Sequence, residues 1–197
     1  DFFFDRNCKE DEYFTYLKRL FIDNIEYIES VNINTEYESR SLREIIDGCS
    51  LVNTFNINKI CYEGRGEEEL LPVLLNKPVK SLSVVSSDGS PGSFSREMLQ
   101  ALQSNSRLEV IYIYNYEMSH SVMKDFMNFI INRKTFTEIL LRDLPCTEHG
   151  CECCNELDFS GHCHLNKLEL RWIPCVTLSL NCQLKHVELS EITLGEM

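Results

Sequence analysis

The chain has 197 residues, 43% of them hydrophobic, and a formal net charge of −12. This length and hydrophobic content predict one core-bearing domain spanning residues 1–197. The acidic balance argues against a nucleic-acid partner, because nucleic-acid binders need clustered Lys and Arg. No stretch reaches the ~20 apolar residues of a membrane-spanning helix, so no membrane insertion is expected.

An apolar frame of the form LxxLxL recurs along the chain. It occurs at Leu17-Leu20-Ile22, Val52-Phe55-Ile57, Val79-Leu82-Val84, Leu108-Ile111-Ile113, Phe136-Ile139-Leu141, Leu165-Leu168-Leu170 and Leu184-Val187-Leu189. The middle residues of successive frames are 35, 27, 29, 28, 29 and 19 residues apart. The last two apolar residues of each frame alternate, which places them on one face of a short strand. A repeat of this period predicts a solenoid in which each unit packs only against its neighbours.

The segments between the frames predict helices in the middle of the chain and short units at its ends. Asp11 to Ile33 is typical of a unit without a helix. Helices are expected from Glu67 to Leu75, from Arg96 to Leu102 with Ser93 or Ser95 as the cap, and from Val122 to Ile131 with Ser119 or Ser121 as the cap. Beyond Leu165, strands at Leu168-Leu170, Leu178-Leu180 and Val187-Leu189 are only 10 and 9 residues apart. That spacing leaves no room for a helix, so a second strand is expected on the outer side.

This frame, with its period and the position of its helices, resembles the leucine-rich repeat family over residues 17 to 194. The central units are similar to the helix-bearing, ribonuclease-inhibitor type. The resemblance implies an α/β fold: a leucine-rich repeat solenoid with a parallel sheet on its concave face, helices on its convex face and short helix-free repeats at its ends. The family usually has Asn or Cys three places after the last residue of the frame, whereas the residues there in this chain are Ile25, Ile60, Ser87, Tyr116, Leu144, Ile173 and Ile192. Apolar packing is therefore expected to replace the family's hydrogen-bonded ladder.

Side chains between the frame residues are expected on the concave sheet surface. The candidates for binding a partner are of types that contribute strongly at interfaces: Tyr112, Tyr114, Leu140, Arg142, Glu169, Arg171 and Trp172. They predict a non-catalytic module that binds a protein or peptide and needs no cofactor. The alternative is that they are ordinary surface residues of a twisted sheet.

Residues 145–164 form a Cys/His-rich insert. Its candidate metal ligands are Cys146, Cys151, Cys153, Cys154, His162 and His164, since thiolate and imidazole are the ligands of structural zinc sites. The spacing lacks paired CxxC knuckles, so zinc, disulfides and free thiols all stay open. A secreted or zinc- or disulfide-stapled structural domain centred on this insert is the competing hypothesis.

Nothing in the chain favours an enzyme, because neither phosphate-cradling glycine motifs nor suitably placed paired carboxylates occur. The chain begins with Asp1, and its first and last units look incomplete, which predicts a fragment of a larger protein. Repeats of this kind resemble the sensing arrays of nucleotide-binding leucine-rich repeat receptors of innate immunity. The substrate arm of a ubiquitin ligase would look similar, and both imply a cytoplasmic location.

Overall fold

The computed structural model describes residues 2–4, 19, 30–35, 59–64, 79–86, 89–147, 156–173, 177–180 and 183–190. Within these ranges the chain is a mixed α/β structure built on one large parallel sheet. Its eight strands are β1 (Phe2–Phe4), β2 (Ser30–Thr35), β3 (Lys59–Gly64), β4 (Ser81–Ser86), β6 (Val110–Tyr114), β8 (Glu138–Arg142), β10 (Lys167–Arg171) and β12 (His186–Ser190). Each strand lies beside the one that precedes it in this order.

Four short strands form two further parallel pairs. Strand β5 (Gly92–Ser93) pairs with β7 (Tyr116–Glu117), and β9 (Glu156–Asp158) pairs with β11 (Thr177–Ser179). The pairing of β11 confirms that the last unit carries a second strand outside the main sheet, as its short spacing predicts.

The register of the main sheet confirms the predicted frame in the last five units. Leu82, Ile111, Ile139, Leu168 and Val187 are direct neighbours across successive strands. Chain segments separated by about 28 residues are therefore adjacent in space, which is the property the sequence period predicts.

The register differs from the predicted frames before β4. The strand that pairs with β4 is β3, with Ile60 opposite Leu82, whereas the frame predicted at Val52-Phe55-Ile57 lies outside the described residues. Asn53, Asn56 and Asn58 disfavour a strand, whereas Ile60-Cys61-Tyr62 suits one.

At the N-terminal end, Arg19 has a helical backbone, which contradicts the strand predicted at Leu17-Leu20-Ile22. The rest of that frame lies outside the described residues, as does the helix expected from Glu67 to Leu75. The strand that precedes β3 in the sheet is β2, and it contains Val31 and Ile33.

Two helices separate the strands in the middle of the chain, α1 (Arg96–Ser104) and α2 (His120–Asn132). Each begins where a serine side chain accepts a hydrogen bond from a backbone N–H that would otherwise lack a partner. The Ser95 hydroxyl accepts from the Met98 amide at 3.3 Å, and the Ser119 hydroxyl accepts from the Val122 amide at 3.5 Å. Of the two caps considered for each helix, these are the ones used.

The core lies between one face of the main sheet and these two helices. Met98, Leu99 and Leu102 of α1 are buried, as are Val122, Met123, Phe126, Met127 and Ile130 of α2. Met118 is buried as well. Of the seven positions where the resembled family has its polar ladder, Tyr116, Leu144 and Ile173 are 0–1% exposed, which confirms apolar packing at these three. Ile60 lies in β3, and the other three positions are outside the described residues.

The last strand leaves part of the core face uncovered. Leu168 and Leu170 of β10 are fully buried, whereas their register partners Val187 and Leu189 of β12 are 42% and 43% exposed. The difference follows from position, because β12 stands at the edge of the described sheet and is paired on one side only.

Candidate partner-binding face

The side of the main sheet opposite the core is called here the open face. From β4 onwards it carries three side chains from each strand: Ser81, Ser83 and Val85; Val110, Tyr112 and Tyr114; Glu138, Leu140 and Arg142; Lys167, Glu169 and Arg171; and His186, Glu188 and Ser190. They alternate with the frame residues, so they point away from the helices. Most are half-buried or exposed, and Glu169 is the exception at 4% exposure.

The register assembles most of the predicted partner-binding residues into two neighbouring rows. The central row runs Ser83, Tyr112, Leu140, Glu169 and Glu188 across five strands. The next row runs Val85, Tyr114, Arg142, Arg171 and Ser190. Because neighbouring strands are about 4.8 Å apart, side chains in adjacent positions are in contact distance. The surface therefore changes from small side chains on β4, through aromatic and apolar ones on β6 and β8, to charged ones on β10 and β12.

Glu169 is the centre of an ion-pair network on this face. Its carboxylate accepts from Arg142 and lies 2.7 Å from the Lys167 ammonium. His186 Nε2 is 3.7 Å from Glu169, and Arg142 is also 3.8 Å from Glu188. Burial opposes ionisation of Glu169, but the hydrogen bonds from Lys167 and Arg142 outweigh it, so its pKa lies below the usual value.

The pKa values of Arg142 and of the neighbouring Tyr112 are both raised. The hydrogen bond to Glu169 raises the pKa of Arg142. Burial raises the pKa of Tyr112, so this phenol stays protonated and can donate or accept a hydrogen bond at neutral pH. The network fixes three long side chains in the middle of the open face, which leaves less entropy to lose when a partner binds.

A metal ion is a poor occupant of this network. Ligand atoms of Glu169, His186 and Glu188 lie within 4.8 Å of one another. However, Arg142 and Lys167 already neutralise the two carboxylates at short distance. A divalent cation would have to displace both, at the cost of placing like charges together.

Trp172 follows β10 at the margin of the open face and is the chain's single tryptophan. Its side chain is 51% exposed, and its backbone has φ of +54°. Asn115 and Asp143 occupy the corresponding places after β6 and β8, with φ of +62° and +51°. Asn and Asp tolerate this left-handed conformation, whereas a bulky aromatic residue rarely adopts it.

Backbone hydrogen bonds explain why all three residues share this conformation. The amide of Asn115 donates to Arg142 O at 3.1 Å, that of Asp143 donates to Arg171 O at 3.0 Å, and that of Trp172 donates to Ser190 O at 3.3 Å. Each bond ties the end of one strand to the end of the next. The fold therefore imposes the conformation on whichever residue stands there, and a Trp at this place is held against its own backbone preference.

The predicted metal ligands are not brought together by the described residues. Cys151, Cys153 and Cys154 lie outside them. His162 is fully buried and its Nε2 is 2.8 Å from Ile131 O, at the end of α2, while His164 is exposed. Cys146 forms an isolated bridge with Met118 through the backbone. The second half of the insert contributes Leu157 and Phe159 to the core.

Two features of the open face were not predicted: the ion pair that Lys167 forms with Glu169 and the left-handed backbone of Trp172. Lys167 forms an ion pair with Glu169 at 2.7 Å, and its alternation with the frame residue Leu168 is the signal that places it on the open face. The strained backbone of Trp172 could have been found by noting that Asn115 and Asp143 stand four places after the middle residue of their frames, as Trp172 does. Comparisons with protein-family models, curated proteins and solved structures found no match for this chain. None of the helices within the described ranges is long and apolar enough to cross a membrane.

Proposed function

We propose that the chain is a non-catalytic interaction module, a solenoid of the leucine-rich repeat type, which binds a protein or peptide on its open face. The observation that carries the proposal is Trp172, a large aromatic side chain that is half exposed and kept in an unfavourable backbone conformation. Strain of this kind costs ~1–3 kcal/mol and concentrates at functional sites. A surface tryptophan with no binding role would be expected to give way to Asn or Gly at this place.

The neighbouring residues support the same interpretation. Tyr112, Tyr114 and Leu140 offer half-buried aromatic and apolar surface beside the rigid Arg142–Glu169 pair. Aromatic side chains and Arg carry most of the energy at protein interfaces, since they bury much area at low entropic cost. A partner would rest its apolar side chains on the tyrosines and Trp172 and use the charged row to fix its register.

A selection of linear peptides displayed on phage tests this proposal. The chain serves as bait, and the Trp172→Asn variant, which suits the left-handed backbone, serves as the counter-bait. Because Trp172→Asn removes the chain's only tryptophan, binding of each selected peptide is measured by isothermal titration calorimetry, which needs no fluorophore in any variant. We expect Tyr112→Ala and Trp172→Asn each to weaken binding by about 2 kcal/mol, or roughly thirtyfold.

Lys124→Ala is the matched control, because Lys124 is exposed on α2, away from the open face. Selected peptides that bind the Trp172→Asn and Tyr112→Ala variants as tightly as the unmodified chain would refute the proposal.

Two kinds of parent protein fit such a module by resemblance alone. One is an intracellular receptor of innate immunity that uses the solenoid as its sensing array. The other is a ubiquitin ligase that uses it to recruit substrates. A phosphate-binding loop in the same gene product would support the receptor, and a short ligase-docking helical segment would support the ligase.

A further inference from the structure

The last strand of the main sheet presents an unpaired edge. Within the described residues, β12 pairs with β10 on one side and with no strand on the other. The amide of His186 donates to Asn166 O at 3.0 Å, so His186 directs its backbone groups towards the β10 side. This direction alternates along a strand, and the N–H and C=O groups of Val187 and Leu189 therefore point outwards from the edge.

The same two residues expose apolar side chains. Among the described residues, the large apolar side chains that are 38–51% exposed are Trp172, Leu180, Val187 and Leu189. All four follow β10 in the chain, whereas the frame residues from Val79 to Leu170 are buried. An edge strand with outward backbone groups and exposed apolar side chains is a surface to which another extended segment can add.

Glu188 lies between these two apolar residues, on the open face, and has no cation of its own among the described residues. Its carboxylate is 3.8 Å from Arg142 and 4.0 Å from His186. Both cations are shared with Glu169, which Arg142 contacts more closely and His186 approaches to 3.7 Å. A further strand on this edge would place a side chain beside Glu188, because neighbouring strands are about 4.8 Å apart. The charge of Glu188 therefore favours a basic residue at that place.

The same charge disfavours a second copy of the chain as the occupant. Two copies of β12 can pair antiparallel about a twofold axis. Only one register of the strand sets each Val187 against a Leu189, and that register also places the two copies of Glu188 directly opposite each other. Like charges in such positions are destabilising. Every other register sets at least one of the apolar residues against a polar residue or beyond the end of the strand.

We propose that the β12 edge binds an extended segment of a partner protein in which a basic residue stands between two apolar residues. The backbone of the segment pairs with the outward groups of Val187 and Leu189, its apolar side chains cover theirs, and its Lys or Arg faces Glu188. In strand addition of this kind, main-chain hydrogen bonds supply affinity and alternate side chains supply specificity. This edge is a different surface from the one that carries the proposed function, so the two proposals succeed or fail separately.

A pair of short, end-capped peptides tests the proposal on the whole chain. Both consist of threonine except at their centre, which reads Val-Lys-Val in the probe and Val-Glu-Val in its counterpart. Binding is followed by NMR at constant pH and ionic strength. We expect the probe to cause saturable shifts of the Val187 and Leu189 amides and to slow their hydrogen exchange, because both amides gain an acceptor. The probe should bind about tenfold more tightly than its counterpart.

Three variants make the test specific. Glu188→Lys should invert the preference, so that the Val-Glu-Val peptide binds more tightly. Glu138→Lys makes the same change of net charge on β8, an inner strand, and should leave the preference as it is. Val187→Pro removes an outward N–H without removing a donor to β10, and should abolish binding of both peptides. Native amide shifts from β6 to β10 show that each variant is folded.

A charged residue on an edge strand also guards against unwanted pairing, and that role alone predicts no saturable binding of the probe, which would overturn the proposal. Equal affinities for the two peptides, or the same change of preference in Glu188→Lys and Glu138→Lys, would overturn it as well. So would self-association of the chain, seen in sedimentation, that Val187→Pro removes, because the edge would then belong to a second copy.

Discussion

Replacing Glu169 with Gln should destabilise the protein at neutral pH, because it removes a buried negative charge that two cations surround. The Glu169 side chain is 5% exposed, while Arg142 and Lys167 are 29% and 33% exposed. Breaking a fully buried pair costs ~3–5 kcal/mol. Since both cations can regain part of their hydration, we expect a smaller loss, about 2 kcal/mol in the free energy of unfolding.

The same charge makes this cost depend on pH. The pKa of Glu169 in the folded protein is lowered from its ordinary value of 4.5. The unfolded chain therefore binds the proton first as the solution is acidified. The stabilisation is fully present above about pH 4.5 and is lost as the pH falls through the lower, folded value. Well below that value the variant and the unmodified protein should be equally stable.

Urea unfolding at neutral and acidic pH measures both effects. Glu138→Gln is the control, because Glu138 occupies a neighbouring strand on the same face and forms no ion pair with described residues. It should change stability by less than about 0.5 kcal/mol. The reasoning fails if Glu169→Gln costs no more than this control, or if its cost is the same at low pH.

Three further predictions concern the core. Burial lowers the pKa of His162 from 6.5, so the unfolded chain binds this proton before the folded protein does. The free energy of unfolding should therefore fall as the pH drops below about 6.5. A His162→Gln variant whose free energy of unfolding has the same pH dependence would contradict this. Ile139→Ala, at a fully buried position, should cost ~2–5 kcal/mol, whereas Leu189→Ala at the exposed edge should cost less than about 1 kcal/mol in urea unfolding; equal losses would refute the burial argument. Gly92→Ala would place a Cβ 2.7 Å from the buried Tyr116 ring. It should lower the free energy of unfolding by ~1–3 kcal/mol, which thermal unfolding would show as a lower midpoint temperature. An unchanged midpoint would show that the ring can move.

The sequence period was sufficient to predict the register of the last five strands. The spacing from Leu82 to Leu168 is set by side chains that must all meet one core, so an error of one residue would turn the wrong face inward. The two helices and their serine caps were predictable for a similar reason, since local hydrogen bonding and helical spacing determine them.

The frame failed where several apolar residues compete for the same role. Both Phe55 and Ile60 fit a strand frame in isolation, and the period favours Phe55, which lies 27 residues before Leu82, over Ile60, which lies 22 residues before it. Only pairing with β4 selects Ile60. Contacts between strands, such as those of Lys167 and Arg142 with Glu169, follow from alternation in each strand, but their geometry depends on rotamers that the period does not determine.

The conformation of Trp172 could be predicted only by comparing units with one another. Nothing about a tryptophan suggests a positive φ, and the surrounding residues give no turn signal for it. Asn115 and Asp143 carry that signal in the two preceding units. The clue to the most unusual residue of the open face therefore lies in its neighbours rather than in its own segment.

The order of the strands has a consequence for how the molecule comes apart. Within the described residues, every strand of the main sheet pairs only with strands that lie within about one period of it in the chain. Opening one end therefore breaks one interface and leaves the others intact, so amide exchange should be graded, fastest at β12 and slowest near β6 and β8. Arg142 and Tyr112 stand in the protected part of that gradient, while Trp172 stands close to its fraying end. A partner that spans these residues would link the least stable strands to the most stable ones. It would therefore slow the opening of the β12 edge as well as occupy the open face.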